Sequence, residues 1–246
     1  MSTQFGEVAG LYDEVRPELP AELADQILSY AVARGEPVTS AVEVGAGTGK
    51  ATALFAGRGF PVTCVEPDPR MAAVLRERVP GVSIDVAKFE DWPPPPGGVS
   101  LLYAALAWHW VTPIVRAQRA ERALAPGGTL ALISARSSYA DPEVKAAMEP
   151  LFGPDEPRPP IADWGVAELR DHTALTDIEV RLLDRVLPYE PEQFVALHQT
   201  TSWYRMLPAE EQTAKLAAMR DVTTAYADRL DMTIGNTLIL ARRRPR

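Results

Sequence analysis

The stretch Val42-Glu43-Val44-Gly45-Ala46-Gly47-Thr48-Gly49 sets three glycines at alternate positions directly after a short apolar run. A strand that passes through such a turn into a helix makes backbone N–H groups converge, and bare Cα atoms let a ligand come close to them. This is the pattern of a cofactor-binding turn. The dinucleotide fingerprint also begins Gly-x-Gly, but it wants a glycine or another small residue where Lys50 stands. The spacing therefore favours Gly-x-Gly-x-Gly and disfavours a nicotinamide site.

The second chemical residue is Glu66, at the tip of the apolar run Val62–Val65 and about 20 residues beyond the glycine turn, where a carboxylate reaches a ribose diol. Its two oxygens suit two adjacent hydroxyls. Pro67 biases Glu66 toward an extended backbone and so aims it out of the strand end. A third group follows the apolar run 99–105, where Ala104 and Leu106 close a strand and Trp108, His109 and Trp110 come next. Open α/β sheets bind ligands outside the carboxyl ends of their strands, so this loop is expected to line the reaction site. His109 is the candidate general base, because imidazole titrates near neutrality; the alternative is that it only shapes the pocket.

The elements that must position these residues alternate. Strands are expected at 41–45, 62–65, 82–87, 99–105 and 129–134, and helices between them. Ala51, Leu54 and Phe55 share one helical face, and Asp68-Pro69 opens a helix whose stripe is Met71, Val74, Leu75 and Val79. A helix from about Pro113 should stop before Pro126-Gly127-Gly128. Prolines 142, 150, 154, 157, 159 and 160 make 137–160 a short helix with an irregular excursion, a candidate lid. Ile178, Val180 and Leu182 alternate as a strand, and 233–241 gives another, with Gly235-Asn236 marking a bulge or bend. Two helices lie between them, one striped by Phe194, Leu197, His198, Thr201 and Tyr204, the other opened by Pro208 and striped by Leu216, Met219, Thr223, Tyr226 and Leu230. The expected fold class is α/β: a doubly wound, seven-stranded, mostly parallel sheet with an antiparallel last strand and helices on both faces.

Composition narrows the partners. The chain has 246 residues with a net charge of −8, which leaves no counterion-release footprint for nucleic acid and no basic face for a membrane. The Arg242, Arg243, Arg244 and Arg246 cluster reads as a solvated tail. One cysteine, Cys64, lies in an apolar run and reads as a core residue; His109, His172 and His198 are far apart, so no metal site is expected. With neither a leader-like N-terminus nor a spanning apolar run, a cytoplasmic location is expected.

With VEVGAGTGK, VEPDPRM, FEDW and LAPGG in this order, the chain resembles the class I S-adenosylmethionine-dependent methyltransferases along nearly its whole length. FGEVAGLYDEVRPELP and LAWHWVTP look like the small-molecule type 11 group that includes trans-aconitate methyltransferase-like proteins. The resemblance implies a Rossmann-like fold in which Gly45, Ala46, Gly47 and Gly49 meet the methionine moiety, Glu66 the ribose, and Pro67 and Met71 the adenine surround. Where family members often carry Asp to contact the adenine amine, this chain has Lys88; Phe89 beside it either contacts adenine or packs in the core. Tyr12 and Arg16 would share a helix face, and the resemblance favours Arg16 meeting the cofactor carboxylate, with Tyr12 also near the acceptor. Trp203, Tyr204 and Arg205 are expected to cover the substrate, although core packing suits Tyr204 as well.

The resulting layout is one domain over 1–246: a helical N-terminal cover at 1–38, the donor-binding core at 39–135, insertions and helices over the acceptor at 137–232, and the last strand at 233–242. The implied reaction is O-, N- or C-methylation of a small metabolite, with S-adenosylmethionine as donor and S-adenosylhomocysteine as product. Aligning the nucleophile supplies about 7–11 kcal/mol of such a barrier, against about 10²- to 10⁴-fold from a base, so a missing nucleophile triad is no objection. The competing readings are a donor-binding protein that catalyses a rearrangement or cyclisation, a nicotinamide-dependent oxidoreductase, and a non-catalytic binding protein.

Overall fold

The computed structural model describes residues 5–152, 160–228 and 230–245. A 3-10 turn (Gly6–Val8), α1 (Ala9–Val15) and α2 (Glu22–Val32) precede β1 (Ala41–Val44). Then come α3 (Thr52–Phe55), β2 (Val62–Val65), α4 (Pro69–Arg78), β3 (Ser83–Asp85) and β4 (Val99–Ala105). A second 3-10 turn (Trp108–Trp110) and α5 (Pro113–Ala123) lead into β5 (Leu124–Tyr139). After α6 (Pro142–Phe152) and α7 (Ile161–Asp171) comes β6 (Leu175–Leu187). Finally α8 (Pro191–Gln199), α9 (Ser202–Arg205) and α10 (Ala209–Ala225) precede β7 (Met232–Arg243).

One seven-stranded sheet runs in the order β3-β2-β1-β4-β5-β7-β6. The first five strands pair in parallel, and β7 is antiparallel to both its neighbours, β5 and β6. The order reverses at β1, which places the glycine turn at the crevice where such sheets bind ligands. Helices cover both faces. Leu23, Ile27, Phe55 and Leu75, from α2, α3 and α4, pack on one side. Ala120, Ala123, Val166 and Leu169, from α5 and α7, pack on the other. A third cluster joins Val144 and Met148 of α6, Phe194 of α8 and Met219 of α10 to Met232 and Ile234 at the start of β7.

Several local expectations change. Pro126-Gly127-Gly128 stops α5 as expected but lies inside β5, where the β4–β5 register shifts between Val99 and Leu101. No bulge occurs at Gly235-Asn236: both residues pair in continuous register with β5 and β6, and the irregularity in β6 falls between Thr176 and Glu179, beside Asp177 with φ +54. Strand β3 is shorter than 82–87, and α10 ends before the buried Leu230. Helix α6 buries Val144 and Met148, so this part of the expected lid is fixed core. Pro154, Pro157, Pro159 and Arg246 lie outside the described residues.

Ile239 shows how far the sheet depends on β7. Its side chain is fully buried, it pairs with Leu132 and Val180, and its Cδ1 lies close enough to Gly165 of α7 that a Cβ there would approach to 3.1 Å. Truncation leaves a cavity at this strand–helix junction. Ile239→Ala should lower stability by about 2–5 kcal/mol in denaturant unfolding; a loss below about 0.5 kcal/mol would place β7 outside the cooperative core.

Candidate functional site

The end of β1 and the end of β2 are tied together by the turn between β1 and α3. Gly45 N–H donates to Val65 O at 2.8 Å, and Gly49 N–H donates to Ala46 O at 2.9 Å. Gly47 has φ +57, and a Cβ built on it would meet only Met71 Cε at 3.6 Å, so its outer face is open for a ligand. Gly49 serves a different end. With φ +91, its Cβ would come within 2.4 Å of Leu75 Cδ1, so this glycine lets α4 pack against the turn.

Glu66 stands beside that turn with 5% of its surface exposed. Its Oε2 accepts from Gly47 N–H at 2.8 Å and its Oε1 from Asp68 N–H at 2.9 Å. Burial pushes the carboxyl above the ordinary glutamate range, and the two amide bonds pull against that shift. Each oxygen keeps acceptor capacity for one more donor. Asp68 caps α4 by accepting from Arg70 N–H at 2.9 Å, so the turn that carries Glu66 is fixed by the helix that follows.

These residues open onto a cavity of about 410 Å³, within the usual range for small-ligand sites. Gly45, Ala46, Gly47, Glu66, Pro67 and Met71 line one side of it. Leu106, His109 and Trp110 enter from the end of β4. Leu106 has φ +55, a strained left-handed conformation for a leucine, and its N–H is held by Ile133 O at 2.8 Å. Tyr12 and Arg16 come from the N-terminal segment, where the ring of Phe5 lies 5.9 Å from those of both Tyr12 and Trp110. Arg16 is at the end of α1 and is anchored across the cavity, with Nε on Thr200 Oγ1 at 2.8 Å and Nη2 on Thr200 O at 2.9 Å.

The other expected site residues point elsewhere. Trp108 is buried beneath the loop: its carbonyl accepts from Arg116, whose guanidinium pairs with Glu168 and stacks over Trp164. Phe89 packs between Trp92 and Trp108 in the core, while Lys88 is exposed in a turn, its carbonyl accepting from Asp91 and Trp92 N–H. Ala104 is buried in β4. Trp203 packs on Phe152, Tyr204 is buried, and Arg205 pairs with Glu7. Each of these is held by partners within the fold, so none of them is among the residues lining the cavity.

What sequence reading missed is the opposite wall. Ala135 and Arg136 of β5, Arg185 of β6, Tyr189, Leu197 and His198 of α8, and Ile234 and Asn236 of β7 line it. His198 is 7% exposed, and its Nδ1 lies 2.8 Å from Phe194 O, so Nδ1 carries the proton and Nε2 is the acceptor of a neutral ring. Burial, with the nearby charge of Arg16, holds its pKa below the ordinary histidine value. Glu43 was also missed, although an acid within the apolar run Ala41–Val44 was a visible signal. It is fully buried beneath the glycine turn and accepts from Thr52 Oγ1 at 2.6 Å and Tyr103 OH at 2.9 Å.

Residues 42–132 match the family model described as a methyltransferase domain. An uncharacterized methyltransferase of Mycobacterium tuberculosis (strain H37Rv) is 37% identical over 133 residues, which is 54% of this chain and 52% of the relative. The trans-aconitate 2-methyltransferase of Rhizobium meliloti is 33% identical over 99 residues, 39% of this chain and 38% of the relative. The chain thus spans about half the length of the first of these curated relatives and less of the second. The solved structure of a putative type II methyltransferase from Anaeromyxobacter dehalogenans shares the fold, with a TM-score of 0.65, 21% identity, and coverage of 94% of this chain and 99% of that one. Among the described residues there is no cluster suited to a metal ion, and no helix is long and apolar enough to cross a membrane.

Desolvation pushes the Glu43 carboxyl from 4.5 up to about 8, against the pull of the two hydroxyl bonds. Between those values the folded protein holds a proton that the unfolded chain has released. Stability therefore falls as pH rises through this window, by about 1.4 kcal/mol per pH unit from this group. Glu43→Gln removes the titration. The difference in unfolding free energy between wild type and variant should slope across pH 5–8 and flatten above; a pH-independent difference would show that Glu43 is ionised throughout.

Proposed function

We propose that this chain, whose residues 42–132 match the methyltransferase-domain family model, is a class I methyltransferase that binds S-adenosylmethionine at the glycine turn and Glu66 and methylates a small molecule held against the opposite wall of the cavity. The observation that carries this reading is the Glu66 carboxylate, buried at the mouth of the sheet with one amide bond on each oxygen. A group in that position with acceptor capacity left on both oxygens fits a ribose diol. The open face above Gly47 fits the close approach of a ligand to the backbone.

When bound, the donor supplies an electrophilic methyl on a sulfonium; the acceptor's lone pair takes the carbon as the carbon–sulfur bond returns its electrons to sulfur, leaving S-adenosylhomocysteine. The residues of the chain then have three tasks. Glu66 and the turn fix the donor's ribose and main axis, with Pro67 and Met71 beside the adenine. Leu106, Trp110, Tyr12 and the wall of β5–β7 and α8 align the acceptor and exclude water, the larger contribution to rate. His109, which lines the cavity on the β4 loop, is placed to receive a proton where the nucleophile carries one. O-, N- and C-nucleophiles are all compatible with this arrangement.

Calorimetric titration of ligand-free protein with S-adenosylmethionine tests the donor site. Saturable binding is expected, weakened about 10- to 100-fold by Glu66→Ala, equivalent to about 1.4–2.8 kcal/mol. Folded wild type that takes up no donor would sink the assignment. Once donor binding is established, release of S-adenosylhomocysteine with an acceptor separates methyl transfer from a rearrangement that consumes no donor.

A further inference from the structure

Two imidazoles line the cavity, and they are built differently. His109 is exposed on the loop after β4, its ring 5.0 Å from that of Trp110. Water competes for an imidazole in that position at every stage of a reaction. His198 is 7% exposed, in the last turn of α8, and its ring packs on those of Phe194 and Phe152, with centroids 4.6 and 5.3 Å away. The bond between Nδ1 and the Phe194 carbonyl fixes the tautomer. Nε2 has no hydrogen-bond partner among the described residues, and it is not one of the unpaired atoms that are shut off from solvent. Its lone pair therefore opens onto the cavity that His198 lines.

The surroundings keep that lone pair available. Elements packed on α8 bring Arg16 from α1, Arg205 from α9, which is paired with Glu7, and Lys215 from α10, which is bonded to Leu151 O. The other cations of the cavity lining are Lys50, paired with Glu18, and Arg136 and Arg185 of β5 and β6. No carboxylate is ion-paired with His198 among the described residues; those that line the cavity, Glu43, Glu66 and Asp68, stand at the ends of β1 and β2. Burial first, and the charge of Arg16 second, hold the His198 pKa below the ordinary histidine value.

A base of this kind suits few nucleophiles. An ammonium has no lone pair to offer until it loses a proton that so weak a base does not take, and a C–H acid needs a far stronger one. An uncharged O–H or N–H fits, because its hydrogen becomes acidic only as the new bond forms. The same wall holds the Tyr189 hydroxyl, buried and hydrogen-bonded to nothing. A ligand seated there satisfies the wall if it brings a hydrogen for Nε2 and a lone pair for Tyr189, and a hydroxyl has both.

We infer that the methyl acceptor is an uncharged O–H or N–H compound and that His198 Nε2, ahead of His109, receives its proton. This inference rests on the reading of the cavity as a methyl-transfer site. As the acceptor's lone pair takes the methyl carbon, the carbon–sulfur bond returns its electrons to sulfur and the hydrogen passes to Nε2 as a proton. The positive charge of the sulfonium ends on the imidazolium, which then gives its proton to solvent.

The test uses phenol, catechol, cyclohexanol and aniline, each beside its fully methylated twin, titrated into protein saturated with S-adenosylhomocysteine. Nitrogen NMR of labelled histidines should show His198 with a protonated Nδ1 and a bare Nε2 at neutral pH. At least one protic probe should bind, and its twin about tenfold more weakly, because the twin leaves Nε2 unpaired. His198→Phe should abolish that preference while the affinity for S-adenosylhomocysteine stays within about twofold, which also shows that the variant folds. With S-adenosylmethionine, methylation of a bound probe should slow about 10²- to 10⁴-fold in His198→Phe, and less in His109→Gln. The proposal is overturned if Nε2 carries the proton, if no protic probe binds, if the twins bind as tightly, if the bound probes are methylated at a rate that His198→Phe leaves unchanged or not at all, or if His109→Gln costs more than His198→Phe. Should folded protein fail to take up S-adenosylhomocysteine, the same probes titrated into ligand-free protein decide the seat on Nε2, while the donor assignment falls.

Discussion

A buried carboxylate must be hydrogen-bonded or it costs several kcal/mol, and the local architecture around Glu66 meets that requirement. The glycine turn must bring Gly47 N–H to one oxygen, and the Asp68 cap must hold the chain so that its own N–H reaches the other. Gly49 must remain without a Cβ for α4 to lie close enough to present that cap. β1, β2, α3 and α4 are in this sense arranged around one acid. Glu43, one strand away, solves the same problem differently. It is bonded by hydroxyls, not amides, and burial, with a smaller push from the charge of Glu66 nearby, keeps it protonated at neutral pH.

The half of the cavity at the ends of β1 and β2 was legible because its determinants are local. The glycine spacing, Glu66 and the Asp68-Pro69 helix start lie within one βαβ unit, and strand ends in a parallel sheet fall on one edge whatever the rest of the chain does. The opposite wall was not legible. Arg185, His198 and Asn236 are brought together by three separate elements, and no spacing rule relates them. Aromatic residues misled for a related reason. Trp108 and Phe89 follow strand ends, where ligand contacts are common, but the buried Arg116–Glu168 pair and the Trp92 ring capture them for the core. Trp203 and Arg205 were placed near a substrate by their chemistry and their position in the insertion between the last strands; Phe152 and Glu7 take them instead.

The halves also differ in how their polar groups are satisfied. At the end of β1 and β2 the carboxylates have partners within the fold and keep spare acceptor capacity. On the far wall, Arg16 and Arg185 are oriented by neutral acceptors and Tyr189 is left with an unpaired donor. The first arrangement is one of a site whose ligand brings donors, the second of a site whose ligand brings acceptors. A cavity with both faces can distinguish ligands by polarity as well as by shape.

The strand order has a consequence for how the molecule comes into being. β6 has a single neighbour in the sheet, and that neighbour is β7, the last strand of the chain. During synthesis, residues 175–187 emerge before 232–243 and lack their native pairing edge until those arrive. The sheet from β3 to β5, with the glycine turn and Glu66, can close from contacts between elements already made. The wall carrying Arg185, Tyr189 and Asn236 must wait for a pairing that spans about fifty residues, a slow step because loop closure precedes any gain from contact. In a nascent chain the residues that build the β1–β2 side of the cavity are therefore all made before those that complete the wall opposite.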